Sequence, residues 1–368
     1  MRVLVQGLQA FNRSGTGCYT VELIKALMLL DNGPELICLW PKEAGVPAES
    51  PKAQWLQHSS GIVHRLYWEQ IGGFRIARKC RADVVHFTAS VGAVTGVTPT
   101  VVTVHDLCYK LHPEWFPRPR ILYYNTFIGA GIRHASHIIT DSQASADDLK
   151  RFYDIPASRI HIIPLGVDDR FRPADEAQCR LVRKQLGLPE FYFLFVGTLE
   201  PRKNLPVVLK AWSLLGDSSP DLVIAGRSGW KMDVEKFILE KGYRKERIHC
   251  PGHVSPELLP ALYSGATAFI WPSLMEGFGL PLLEAMACGA PVVTSNISSM
   301  PEVVGDAALT VRPTDVSALA EAMGCLAANE QVRDHMRAAG IKRAALFTWQ
   351  RTAKMTAGVY NLVRQETT

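Results

Sequence analysis

Short apolar runs rich in valine and isoleucine alternate along the whole chain with longer stretches of helical period, and this alternation limits the fold more than any other feature. A strand that is apolar at nearly every position must be covered on both faces, as in a parallel sheet flanked by helices. In the first half the expected strands are Val3 to Gln6, Leu36 to Trp40, Ala82 to Phe87, Thr100 to His105, His137 to Thr140 and Arg159 to Ile163. The second half repeats the plan with Tyr192 to Gly197, Asp221 to Gly226, Ile248 to Cys250, Thr267 to Trp271, Pro291 to Thr294 and Ala308 to Val311. The fold class is therefore α/β, with two doubly wound units in tandem. A length of 368 residues agrees, since it exceeds what one core usually supports. The polar, proline-bounded stretch Pro164 to Pro173 supplies a hinge. The expected division is an N-terminal unit over 1–168, a second unit over 169–348, and a C-terminal helix over 349–368. That helix carries Trp349, Ala353, Thr356, Val359, Tyr360 and Val363 on one face, suited to packing back on the first unit.

Composition removes several classes of function. A formal charge of +5 arises from 40 basic and 35 acidic residues spread over both halves, so no basic arm for nucleic acid exists. The eight cysteines are scattered without Cys-x-x-Cys spacing and read as reduced, mostly buried thiols. No export signal and no spanning segment are expected, which makes a cytoplasmic location the default and leaves peripheral contact with a membrane open.

Ligands of open parallel sheets gather beyond the carboxyl ends of the strands, so residues there carry the functional argument. Gly15-Thr-Gly17 opens a helix after the first strand, where a simple capping turn and a phosphate-facing loop fit equally well. As a dinucleotide fingerprint it fails, because Thr20 holds the third glycine position and no acidic residue ends the second strand. His105-Asp106 ends an apolar strand as a polar pair at the ligand edge. Gly197-Thr-Leu-Glu-Pro-Arg-Lys-Asn204 places Arg202 and Lys203 just before a helix, a pairing suited to a diphosphate, although an adjacent Arg-Lys pair is more often simply solvated. Glu276-Gly-Phe-Gly-Leu-Pro-Leu-Leu-Glu284 is the most specific feature: a strand, a glycine turn and a helix that begins at Pro281, with a carboxylate on each side. Glu284 is expected in the first helical turn. One carboxylate can address a sugar and the other a ribose. No Asp-x-Asp triplet or His/Cys cluster has metal spacing, so neither metal nor cofactor is expected.

The order of these motifs, together with Pro164-Leu-Gly-Val-Asp168 and Met300-Pro-Glu-Val-Val-Gly-Asp-Ala307, resembles retaining glycosyltransferase family 4 over nearly the whole chain. The resemblance implies the GT-B architecture, two Rossmann-like domains facing a central cleft, with the C-terminal helix returning to the first. It also implies a nucleotide-sugar donor held mainly by the second domain and an acceptor held mainly by the first. By position it assigns Arg202 and Lys203 to the donor diphosphate, Glu276 to the donor sugar, Glu284 to the ribose and His105 to the transferred sugar. Gly15 and Gly17 match a loop that approaches the diphosphate. Gly277, Phe278, Gly279 and Leu280 match backbone donors to sugar and phosphate, and the segment at Val254 matches a nucleobase contact. Thr198 follows Gly197 where many members carry arginine, which makes Lys203 the firmer match and gives Arg202 the part of a replacement.

The wording of His105-Asp-Leu and His112-Pro-Glu-Trp-Phe116 is similar to bacterial mannosyltransferases of surface-polysaccharide assembly. GDP-mannose is accordingly the favoured donor, with UDP-sugars as rivals and a glycan or lipid-linked molecule as acceptor. The resemblance further implies that a donor phosphate oxygen takes the acceptor proton, so that neither glutamate need act as a nucleophile, with covalent catalysis by Glu276 as the minor alternative. Two other classes fit the same pocket, a sugar-nucleotide epimerase and a non-catalytic sugar-nucleotide sensor.

Overall fold

The computed structural model describes residues 1–12, 15–59, 61–94, 98–227 and 234–367, so Thr368 of the expected C-terminal helix lies outside the described residues. The chain divides into two compact units, Met1–Gly166 with Thr348–Thr368, and Val167–Phe347.

The sheet of the first unit comprises β1 (Arg2–Gln6), β2 (Glu35–Pro41), β3 (Ala53–His58), β4 (Val84–Phe87), β5 (Thr100–Thr103), β6 (His137–Thr140) and β7 (Ile160–Ile162). Their order is β3-β2-β1-β4-β5-β6-β7, every neighbour parallel. Val3, Leu4, Val85, Val102 and Ile138 are fully buried, as strands covered on both faces require. The strand β3 was not expected. Its sequence Ala-Gln-Trp-Leu-Gln-His has no β-branched residue, and its place at the sheet edge leaves it only partly covered, so it lacks the apolar run that marks the others.

The C-terminal helix Trp349–Thr367 belongs to this first unit. Its buried face is the expected one, including Ala353, Thr356, Val359, Tyr360 and Val363. Two polar members of that face are paired: Thr352 donates to the Pro164 carbonyl at 2.7 Å, and the Tyr360 hydroxyl meets His86 Nδ1 at 2.6 Å. The other ring nitrogen of His86 meets Thr103 at 2.8 Å, and burial drives its pKa down to about 3. His86 is thus a neutral core histidine.

The second unit holds β8 (Tyr192–Val196), β9 (Asp221–Ala225), β10 (Ile248–Gly252), β11 (Ala268–Trp271), β12 (Val292–Ser295) and β13 (Leu309–Val311). Their order is β10-β9-β8-β11-β12-β13, again wholly parallel. In both sheets the order reverses beside the first strand of the unit, between β1 and β4 and between β8 and β11. Such a reversal point, beyond the carboxyl ends of the strands, is the usual ligand position of these sheets. None of the eight cysteines forms a disulfide; Cys38, Cys108, Cys179 and Cys288 are buried, Cys18 and Cys80 partly so, and Cys250 and Cys325 are exposed, so half of the thiols rather than most are buried.

Candidate functional site

In the second unit the loops after β8 and β11 flank the reversal point, and the residues singled out from sequence meet there. A single 3-10 turn, Pro201–Lys203, follows β8, and Asn204 ends it in the left-handed region at φ 60°. The Asn204 side chain donates to the carbonyls of Pro272 (3.0 Å) and Pro313 (2.7 Å), fixing the turn against two neighbouring loops. The turn aims both cations at Glu276. Lys203 Nζ donates to Glu276 Oε1 at 2.6 Å, and Arg202 donates to Oε2 at 2.5 Å. Arg202 Nε also donates to Glu200 at 2.5 Å, and Lys203 lies over the Trp271 ring, 4.1 Å from its centroid.

Lys203 is buried rather than solvated, as are Glu200 and Glu276. Burial, with Arg202 beside it, pushes the Lys203 ammonium down to about 8. Burial alone would raise the Glu276 carboxyl, but Arg202 and Lys203 outweigh it and hold the group below its ordinary value. Glu276 is therefore a carboxylate with both oxygens engaged. Its backbone is fixed as well: Ser298 accepts from the Glu276 N–H and donates to its carbonyl, while Ser299 donates to the carbonyls of Glu276 and Phe278.

Gly279, at φ 109°, turns the chain into the helix Leu280–Ala287, a conformation that L side chains rarely adopt. Gly277, Phe278 and Gly279 are buried, and the Phe278 ring packs on Phe347 in the core, leaving only its backbone for a ligand. Glu284 is the fifth residue of that helix, which corrects its expected place in the first turn; Leu280 and Pro281 are its first two residues. One turn further in, the side chain reaches Tyr263, whose hydroxyl donates to Glu284 Oε2 at 3.0 Å. Burial pushes the Glu284 carboxyl up to about 7, and Tyr263 and Arg170 only partly oppose that rise. Val254 is buried just beyond β10.

In the first unit Gly15 and Gly17 lie in the first turn of the helix Gly15–Leu29. Gly17 is required by space: a Cβ there would sit 1.6 Å from the Asn12 carbonyl oxygen. Gly15 is exposed and unrestricted. His105 follows β5, but its partner is not Asp106, which instead caps the Cys108 N–H at 3.0 Å. The ring meets Asp141, just beyond β6, through Nδ1 at 2.7 Å, and the Thr88 carbonyl through Nε2 at 3.1 Å. A carboxylate and a carbonyl are both acceptors, so the ring satisfies them best with a proton on each nitrogen. Burial opposes the charged ring, yet Asp141 outweighs burial and raises its pKa. Tyr19 packs its ring edge-on against the imidazole, 4.8 Å between centroids.

The sequence reading missed Glu200, Tyr263 and Asp141. Glu200 stood inside the quoted loop, two residues before Arg202, and Asp141 ends its strand much as His105 ends the neighbouring one. Tyr263 carries no local signal, since in the helix Leu259–Ser264 it reads as core.

Two family models match: residues 13–171 match Glycosyltransferase Family 4 and residues 181–343 match Glycosyl transferases group 1. The chain is 37% identical over 267 residues to O-antigen chain mannosyltransferase B of Escherichia coli, covering 72% of this chain and 70% of that protein. Among solved structures, sucrose-phosphate synthase from Thermosynechococcus elongatus superposes with TM-score 0.77 at 21% identity, covering 99% of both chains. HepE from Anabaena, in complex with UDP and glucose, gives TM-score 0.76 at 17% identity over 98% of this chain and 99% of that one.

Proposed function

Because the chain belongs to glycosyltransferase family 4 and has the GT-B fold, we propose that it transfers mannose from GDP-mannose to a hydroxyl of a glycan or lipid-linked acceptor, with retention at the anomeric carbon. The observation that carries this reading is the meeting of Arg202, Lys203 and Glu276 at the reversal point of the second sheet, with Glu284 on the adjoining helix. The two cations supply the counter-charge for a departing diphosphate, whose negative charge grows in the transition state, so the reaction proceeds without a bound metal. Glu284, fixed through one oxygen by Tyr263, offers the other to the ribose hydroxyls. Backbone groups from Gly277 to Leu280 serve the sugar and phosphate, and Val254 flanks the base. In the first unit, Gly15 and Gly17 are assigned to the diphosphate and His105 to the transferred sugar.

Glu276 lies beside the two cations proposed to meet the diphosphate, a place that suits it to charge stabilisation and sugar positioning. The acceptor proton then passes to a donor phosphate oxygen. Mannose is favoured over glucose by the likeness to the O-antigen mannosyltransferase. The test is a panel of GDP- and UDP-sugars incubated with the protein and an oligomannose acceptor, with product configuration read by NMR. An α-mannosyl product formed from GDP-mannose alone is expected. A β-linked product, or transfer only from a UDP-sugar, would refute the reading. Among the described residues no helix is long and apolar enough to cross a membrane, so a lipid-linked acceptor would be met at a membrane surface.

A further inference from the structure

The pyrophosphate-binding cations are already neutralised by the protein itself. Arg202 and Lys203 carry two positive charges, and Glu200 and Glu276 carry two negative ones within hydrogen-bonding distance. The Glu200 carboxylate pairs with Arg202, whereas Glu276 spans the pair with one oxygen on each cation. Resting on the donor-site reading above, we infer that Glu276 is a displaceable counter-ion: in the empty site it occupies the positions that the donor's phosphate oxygens take.

A diphosphate entering this site faces a cluster with no net charge, so it gains little until the Glu276 carboxylate moves off the cations. Once displaced, that carboxylate is free for the hydroxyls of the donor sugar, and a bare nucleoside diphosphate offers it none. The carboxylate then returns to Arg202 and Lys203 as the sugar departs and helps to expel the product. Glu276 thereby discriminates between intact donor and spent nucleotide. The burial of the Lys203 ammonium sharpens the competition, because a buried cation needs one partner or the other. Trp271 holds the lysine in place during the exchange through its ring face.

The inference predicts that removing a carboxylate from the proposed active site strengthens binding of the product. Calorimetry with GDP and UDP on the whole chain measures this directly. Glu276→Gln, which keeps the shape and removes the charge, is expected to bind the diphosphate about tenfold or more tightly than the unmodified protein, with correspondingly slower release. Glu276→Asp, too short to span both cations, is expected to tighten binding by a smaller factor, and it serves if the glutamine variant does not fold. Unchanged or weaker diphosphate binding in the folded variant would overturn the counter-ion role. Lys203→Met separates the two levels of the argument. If it weakens diphosphate binding while neither Glu276 variant strengthens it, the donor site stands and the counter-ion role falls. If it leaves diphosphate binding unchanged, the donor-site reading falls and this inference with it.

Discussion

Glu284→Gln is expected to stabilise the ligand-free protein at neutral and alkaline pH while destroying its grip on the donor. The carboxyl ordinarily titrates near 4.5, and burial pushes it up to about 7. Between these values the folded chain holds a proton that the unfolded chain has released, so rising pH favours unfolding. The penalty is absent below about pH 4.5 and fully expressed above about pH 7. At about 1.4 kcal/mol per pH unit, the full displacement corresponds to about 3 kcal/mol. Glu284 is only half-buried, and solvent screening reduces that figure to about 1–2 kcal/mol. Glutamine is neutral at every pH and its amide oxygen still accepts the Tyr263 hydroxyl. Thermal unfolding of the second unit should rise by about 4 °C at pH 8 and by nothing measurable at pH 4.5, since a domain of this size gains roughly 2–4 °C per kcal/mol. Scanning calorimetry at the two pH values, with GDP-mannose absent, is the assay. Equal midpoints at pH 8, or the same increment at both pH values, would refute the argument that the carboxylate is strained in the empty site.

The remaining predictions concern the neighbouring groups. Tyr263→Phe removes the hydrogen bond that opposes the rise of the Glu284 pKa, so the penalty should still begin near pH 4.5 but grow larger and level off at a higher pH, and donor affinity should fall about five- to tenfold by calorimetry. Asp141→Asn leaves the His105 ring buried without its counter-charge; the ring pKa, followed by NMR, should drop from above 6.5 to below it, and transfer should slow. The charged His105–Asp141 pair contributes stability that is lost as pH rises through the raised ring pKa and again as pH falls through the Asp141 pKa, which burial raises, so the variant should lose most in mildly acid conditions, below about pH 6.5. Gly17→Ala drives a methyl into the Asn12 carbonyl and should cost the first unit about 1–3 kcal/mol in urea unfolding, whereas Gly15→Ala should cost nothing measurable. The proposed function draws the counter-charge for the diphosphate from Arg202 and Lys203, so on that proposal transfer should persist in excess EDTA.

What the sequence disclosed depended on whether the signal was local. The strands of the second sheet were legible because runs such as Phe-Leu-Phe-Val and Ala-Phe-Ile-Trp are apolar throughout, a pattern dictated by burial on both faces. Ala53–His58 was not, since an edge strand owes its state to the backbone of β2 more than to its own side chains. The same distinction governs the site. His105, Lys203 and Glu276 each announced themselves at the end of an apolar run, but their partners are set by sheet order. With β5 beside β6 in parallel, Val101 pairs with His137, and that register carries His105 level with Asp141, 36 residues away, past the neighbouring Asp106. Likewise β8 beside β11 brings Lys203 to Glu276, 73 residues away. This changes the chemistry as well as the geometry. In sequence the loop after β8 reads as a pair of adjacent cations awaiting an anion, but Glu200 and Glu276 complete a cluster without net charge. If a phosphate is bound there as proposed, ligand affinity is a difference between two ion-pairing arrangements rather than a sum of contacts, and it depends as much on Glu276 as on Arg202 and Lys203.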